Sequence, residues 1–219
     1  MEKYNHYSFD LWLTLIKSNP EFKEQRDLLF HETYNPQGLP LEEVSAIIRK
    51  IDIDSNKCSE ITELHVPCER MIYDILQGMK HNNITFDLIH RIKGQIQAYF
   101  ILLPPSLYDE YTKSTLELLY RQGYILNIAS NTGFILGDTL DMVLEQLGIR
   151  KYFKFALYSD ELGTSKPNNM FFIQILEQSF RGSKIIHVGD NPIADGGSVN
   201  AGIVYFQINS NEKTIKDLL

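Results

Sequence analysis

The sequence predicts an α/β fold, a parallel sheet with an inserted helical unit, and three observations carry that prediction. After residue 105, short apolar or β-rich runs alternate with helical stretches, which is the pattern of a parallel sheet. Between about residues 19 and 103 that alternation disappears and helix-like segments follow one another. Acidic and hydroxyl residues recur just after the strand-like runs, where open parallel sheets bind their ligands. A chain of 219 residues suits one large domain, or one domain with a sizeable insertion, and needs no staple to fold.

The elements follow in order. "YSFDLWLTL" (7–15) reads as a short buried strand that ends on an acid, Asp10, and stops at a hydroxyl residue, Thr14. Helices are expected over "EFKEQRDLLFHETY", "PLEEVSAIIRKI", "PCERMIYDILQGM" and "ITFDLIHRIKGQIQAYFILL", with breaks at "NPQGLP", "HVP", "KHNN" and Pro104-Pro105. The expected division is a sheet-bearing core of residues 1–18 and 104–219 and a helical cap of residues 19–103, hinged near Asn19-Pro20 and Leu103-Pro104. Beyond the hinge, "SLYDEYTKSTLELLYRQG" sets Leu107, Tyr111, Leu116 and Leu119 near one helix face and ends at Gly123. Strands are then expected at 124–130, 153–160, 184–190 and 203–208, with the helix "GDTLDMVLEQLG" ending at Gly148.

Composition excludes several function classes. A net charge of −7 without a basic cluster argues against nucleic acid as the partner, since that binding neutralises phosphates with Lys and Arg. The opening "MEKYNHYSFD" has no apolar stretch behind a basic region, and no apolar run approaches a membrane span, so a cytoplasmic chain is expected. Cys58 and Cys68 have no Cys/His pattern around them and read as free thiols. His31, His65, His81 and His90 lack the spacing that pairs ligands on one helix face. His187, inside a strand, reads as a satisfied core residue, and the aromatics Phe22, Phe30, Tyr34, Tyr73, Phe86, Tyr99 and Phe100 mostly read as helix packing, with room for one or two of them to line the substrate cleft.

A lone Asp after a strand is usually a cap or a turn residue. Here a set converges on the strand ends: Asp10, then Ser130 and Asn131, then Lys166 in "GTSKPNNMFF", then Asp190 and Asp195 in "VGDNPIAD". Carboxylates gathered at one sheet edge repel one another unless a cation sits among them, and Mg²⁺ suits an all-oxygen set. Lys166 and the Ser130 hydroxyl supply donors for an anionic group.

Four motifs in this order, "FDLWLTL", "IASNTG", "GTSKPNNMFF" and "HVGDNPIADGGSVNAGI", resemble those of the haloacid dehalogenase-like (HAD) superfamily of hydrolases over essentially the whole chain. The resemblance implies a Rossmann-like, doubly wound parallel sheet with a helical cap inserted after the first strand. It also implies a phosphohydrolase that takes a small phosphorylated metabolite. Asp10 would be the nucleophile that becomes an aspartyl phosphate. Mg²⁺ would be held by Asp10, the Trp12 carbonyl and Asp190, with Asp195 holding a metal-bound water or orienting Lys166. Thr14, Ser130, the Asn131 N–H and Lys166 would serve the phosphoryl group.

Two positions depart from that pattern. Most phosphatases of the family have an Asp where Trp12 stands, and losing such a general acid/base removes about 10² to 10⁴ in rate. A Gly is common where Leu13 stands. An aromatic at Trp12 resembles the dehalogenase branch, which displaces halide without metal and uses a cap arginine; between Asp10 and Arg49 the only arginine is Arg26. The alternatives are therefore a metal-independent 2-haloacid dehalogenase-type hydrolase and a catalytically weak binding protein of the same fold.

Overall fold

All five β-rich runs pair into one sheet in a computed structural model that describes residues 4–210 and 212–219. The elements in chain order are β1 (His6–Phe9), β2 (Ile16–Lys17), α1 (Pro20–Thr33), α2 (Leu41–Thr62), α3 (Cys68–Gly78), α4 (Phe86–Leu102), β3 (Ser106–Leu107), α5 (Thr112–Arg121), β4 (Ile125–Ser130), α6 (Gly137–Gln146), β5 (Phe155–Tyr158), α7 (Ser159–Leu162), α8 (Asn169–Gln178), β6 (Ile185–Gly189) and β7 (Val204–Gln207). Residues 1–3 and 211 of the expected core lie outside the described residues.

The sheet runs β5-β4-β1-β6-β7 and every neighbouring pair is parallel. Successive side chains of a strand point to opposite faces, and here each face has its own helices. Leu126 and Ile128 of β4 join a cluster with Leu116 and Leu119 of α5 and Leu140 and Val143 of α6. Ala129, Leu157 and Ile185 join a second cluster with Phe171, Phe172 and Ile175 of α8. The sheet is therefore doubly wound. Its central strand, β1, has one neighbour that follows it across each face, so the strand order reverses at β1 and opens a crevice at the carboxyl ends.

Three expectations need correction. The helix expected over 106–123 begins only at Thr112, because Asp109 Oδ1 accepts the N–H groups of Tyr111 and Thr112 (both 2.8 Å) and caps it there. Leu107, expected on that helix, instead pairs with Ile16 in the two-stranded antiparallel ribbon of β2 and β3, which the sequence did not announce. The second helix, expected to stop near residue 51, continues to Thr62 and ends where Glu63 turns left-handed (φ +59°). Of the aromatics assigned to packing, Phe22, Phe30, Tyr34 and Phe100 are buried, whereas Tyr73 and Phe86 are exposed.

Four helices, α1 to α4, fill the stretch between β2 and β3. Asn19 caps α1 by accepting the Glu21 N–H (3.0 Å), with Pro20 at the first helical position, and its amide donates to the Pro104 carbonyl (3.3 Å). The two crossings between sheet and helices therefore stand side by side. No helix among the described residues is long and apolar enough to cross a membrane.

Candidate active site

The strand ends bring the expected residues together around one cation. Asp10 directly follows β1, its N–H bonded to the Val188 carbonyl (2.9 Å), which extends the pairing with β6 by one residue. Lys166 reaches in from the loop after α7. Its Nζ donates to Asp10 Oδ1 at 2.8 Å and to Asp195 Oδ1 at 2.5 Å. All three are at least nine-tenths buried. Burial opposes the charged form of Lys166, but the attraction of Asp10 and Asp195 outweighs it and raises its pKa. Burial likewise opposes Asp195, yet Lys166, with His187, holds that carboxyl well below the usual range. Asp10 is driven up by burial and by Asp195, against the pull of Lys166.

Asp190, just past β6, completes a group of three carboxylates, one oxygen of each lying within 4.8 Å of the others. Burial, then repulsion from Asp10 and Asp195, raises its pKa to about 7. Such a cluster is under electrostatic strain that a hard divalent cation would relieve, and its oxygen donors are those Mg²⁺ takes.

The remaining expected residues divide. Asn131 lines the cavity, and its side chain is committed to Lys166: Oδ1 accepts the Lys166 N–H (2.8 Å) and Nδ2 donates to the Lys166 carbonyl (2.9 Å). The Ser130 hydroxyl is fully buried, turns to the Asn131 carbonyl (3.2 Å), and is not part of the cavity wall, although a phosphoryl contact was expected of it. Thr14 is also fully buried and off the cavity, and its Oγ1 has no hydrogen-bond partner among the described residues. Trp12 does line the cavity, and its ring packs on Phe100 of α4 with centroids 5.9 Å apart. Leu13 adopts φ +57°, the left-handed conformation for which glycine is suited, so the turn keeps its shape at the cost of a strained leucine. Asn209 secures that turn by donating to the Leu13 and Thr14 carbonyls (2.8 and 3.1 Å).

Sequence reasoning undervalued His187. It is a satisfied core residue, as expected, but its partners matter: Nε2 lies 3.1 Å from Asp195 Oδ1 and Nδ1 lies 3.1 Å from the Ser8 hydroxyl. Burial lowers its pKa, against the pull of Asp195, and so favours the neutral ring. With an ionised Asp195, the proton belongs on Nε2, and Ser8 donates to Nδ1. The signal was the register, since Ser8 and His187 face each other across β1 and β6.

These groups form the floor of a cavity of about 420 Å³. Its opposite wall comes from α1 and α2 and presents Phe22, Lys23, Arg26, Asp52, Asn56 and Glu60. Arg26 is buried, pairs with Asp27 (2.9 Å) and sits 5.0 Å over the Phe134 ring. None of α2 beyond residue 51 was marked by sequence, so Glu60 had no signal.

Comparison with known proteins agrees with this geometry. A sequence model described as haloacid dehalogenase-like hydrolase matches residues 4–198. Pyrimidine 5'-nucleotidase YjjG of Escherichia coli K12 is 36% identical over 73 residues, 32% of this chain and 32% of that protein. Ribulose-1,5-bisphosphate 5-phosphatase of Halopiger xanaduensis is 36% identical over 91 residues, 41% of this chain and 36% of that protein. Each match thus spans about a third of the relative's own length. The crystal structure of YfnB from Bacillus subtilis, bound to magnesium, superposes with a TM-score of 0.75 at 18% identity, covering 99% of this chain and 97% of that one, a likeness of fold.

Proposed function

The chain belongs to the haloacid dehalogenase-like hydrolase family, and on that premise we propose that it is a Mg²⁺-dependent phosphohydrolase acting on a small phosphorylated metabolite through an aspartyl phosphate at Asp10. The observation that carries this is the retained set at the strand ends. A buried Lys166 binds both Asp10 and Asp195, and Asp190 lies beside them. A chain that only binds has no need to keep a nucleophile, its counter-cation and a further acid together. Relatives that match a third of their length are a nucleotidase and a phosphatase, which supports the same substrate class.

Asp10, Asp190 and the Trp12 carbonyl would hold the metal, whose charge would stabilise the phosphoryl oxygens. The rest of the chemistry belongs to side chains. An Asp10 oxygen attacks phosphorus while Lys166 offsets the negative charge that gathers there. His187 and Lys166 fix Asp195, and Asn131 fixes the Lys166 backbone, so the cation cannot drift from the nucleophile. The backbone N–H of Asn131 takes a phosphoryl oxygen, with Ser130 bracing that loop from behind, while the Thr132 N–H is spent on the Ser159 hydroxyl (2.8 Å). Residues 19–103 act as a cap, hinged near Asn19-Pro20 and Leu103-Pro104 on a core of residues 1–18 and 104–219, and exclude water from Asp10.

A dehalogenase reading has two observations in its favour: Arg26 lines the cavity on the helical side, and Trp12 is aromatic. Asp190 speaks against it. Phosphate release from an aryl phosphate, followed with and without Mg²⁺ in wild type and Asp10→Asn, decides between them. Release that needs both Mg²⁺ and Asp10 is expected. Halide release from a 2-haloacid that needs Asp10 but no metal, with no phosphate release, would replace the phosphohydrolase reading.

A further inference from the structure

An alkyl leaving group departs as an alcohol only if something hands its oxygen a proton. On the core side of the cavity no group is free to do so. Trp12 has no acidic proton, Asp10 and Asp195 are engaged by Lys166, Asp190 is assigned to the metal, and His187 is fully buried and spent on Ser8 and Asp195. Beyond these, the carboxyls on the cavity wall are Asp52 and Glu60, both on α2.

Their surroundings differ. Burial raises the pKa of Asp52 against the pull of Arg26 and Lys23, and Asp52 sits on the stretch of α2 that faces those two cations. Glu60 lies eight residues further along, about 12 Å down the helix axis, at the end that is stitched to the catalytic loops. The Glu63 carbonyl accepts the Ser165 N–H and the Thr164 hydroxyl (both 3.0 Å), and the His65 N–H donates to the Gly163 carbonyl (3.2 Å). Ser165 immediately precedes Lys166. On the other side, Glu60 Oε1 accepts from Asn191 Nδ2 at 2.8 Å, and the Asn191 N–H bonds Asp195 Oδ2 at 3.0 Å. Oε2 has no hydrogen bond among the described residues. Glu60 is thus held between the loop that carries Lys166 and the loop that carries Asp190, with one oxygen anchored and the other without a hydrogen bond, on a side chain that lines the cavity.

Resting on the phosphohydrolase reading, we propose that Glu60 is the general acid and base that the core lacks, supplied from the inserted helices. In the first step Asp10 forms a bond to phosphorus, the bond from phosphorus to the leaving oxygen breaks, and the Glu60 carboxyl proton passes to that oxygen to give the alcohol. In the second, water attacks phosphorus, the Asp10–phosphorus linkage breaks to restore the carboxylate, and the water proton returns to Glu60 as phosphate leaves. The protein ends as it began. Because Glu60 sits on α2, the proton carrier is in place only when the helices stand against the core.

The test is turnover of paired esters, 4-nitrophenyl phosphate and glycerol phosphate, by wild type, Glu60→Gln, Glu60→Asp, Asp52→Asn and Asp10→Asn, all with Mg²⁺. Gln keeps the acceptor for Asn191 and the side-chain volume but carries no transferable proton. It should lower kcat for the alkyl ester by about 10²-fold and that for the aryl ester far less, so the aryl-to-alkyl ratio widens, with Glu60→Asp in between. Asp52→Asn should leave the ratio where it is. A merely structural Glu60 would lower both esters together and leave the ratio unchanged, which would overturn the assignment, as would a ratio that moves with Asp52→Asn instead. If wild type hydrolyses the aryl ester in an Asp10-dependent way, only the Glu60 assignment falls in that case. If wild type releases phosphate from neither ester, both fall.

Discussion

Asp190 differs from its neighbours in having no cation of its own among the described residues, which is why the metal reading turns on it. Asp190→Asn should weaken Mg²⁺ binding, measured by calorimetry, and an equal affinity would remove Asp190 from the donor set. Leu13 invites the opposite kind of change. A leucine at φ +57° costs about 1–2 kcal/mol, and glycine there returns some of that by loosening the unfolded chain, about 0.4–1 kcal/mol. Leu13→Gly should therefore raise the unfolding free energy, measured by denaturant titration, by a net of about 1 kcal/mol or less. His6 sets a pH limit on the fold. It is buried against Asn127 and Ser179, and burial lowers its pKa from 6.5 to about 4. With the folded value below the unfolded one, the chain keeps its full stability above 6.5. It loses up to about 3 kcal/mol as pH falls from there to about 4. Urea midpoints across that interval should slope in wild type and flatten in His6→Gln.

At the scale of elements, what the sequence disclosed followed length. Strands β1, β4, β5 and β6 each leave an apolar run closed by an acid, a hydroxyl residue or a glycine, β7 one closed by Asn209, and the helices of the insertion are separated by Pro, Gly and Asn breaks. The β2–β3 ribbon is two residues a side, too short for alternation to register, and so Leu107 was assigned to a helix it does not join. α2 ran past its expected end because "DIDSNKCSEIT" holds no breaker. Only the left-handed Glu63, stitched to the Lys166 loop, stops it. Convergence of Asp10, Asn131, Lys166, Asp190 and Asp195 was legible from strand ends alone, since topology fixes where those ends meet. The rotation of Ser130 and Thr14 away from the cavity was not, because one residue along a strand end exchanges faces. Asn19 offers a test at this scale. Asn19→Ala removes a helix cap and the tie to Pro104, and should cost about 1 kcal/mol or somewhat more in thermal or urea unfolding.

Over the whole molecule, the larger apolar cluster runs without interruption from Tyr7 and Phe9 of the sheet to Phe30, Ile48, Ile72 and Phe100 of the inserted helices. Sheet and helices should therefore unfold in one transition, seen as coincident far-UV and near-UV melting curves. The ribbon of β2 and β3 bears on how that state is reached. β1 pairs with β4 at His6 and Ile125, so the central strand waits for a partner more than half the chain away. When Lys17 and Ser106 meet first, the excursion between them is already closed. The stretch still to be searched before β1 finds β4 shrinks roughly fourfold, an entropic saving of about 1.2 kcal/mol at the later closure. A two-residue ribbon that adds almost nothing to the finished architecture thus shortens the search for the central strand's partner. The helices between its arms can assemble early and deliver the two halves of the sheet to each other at short range.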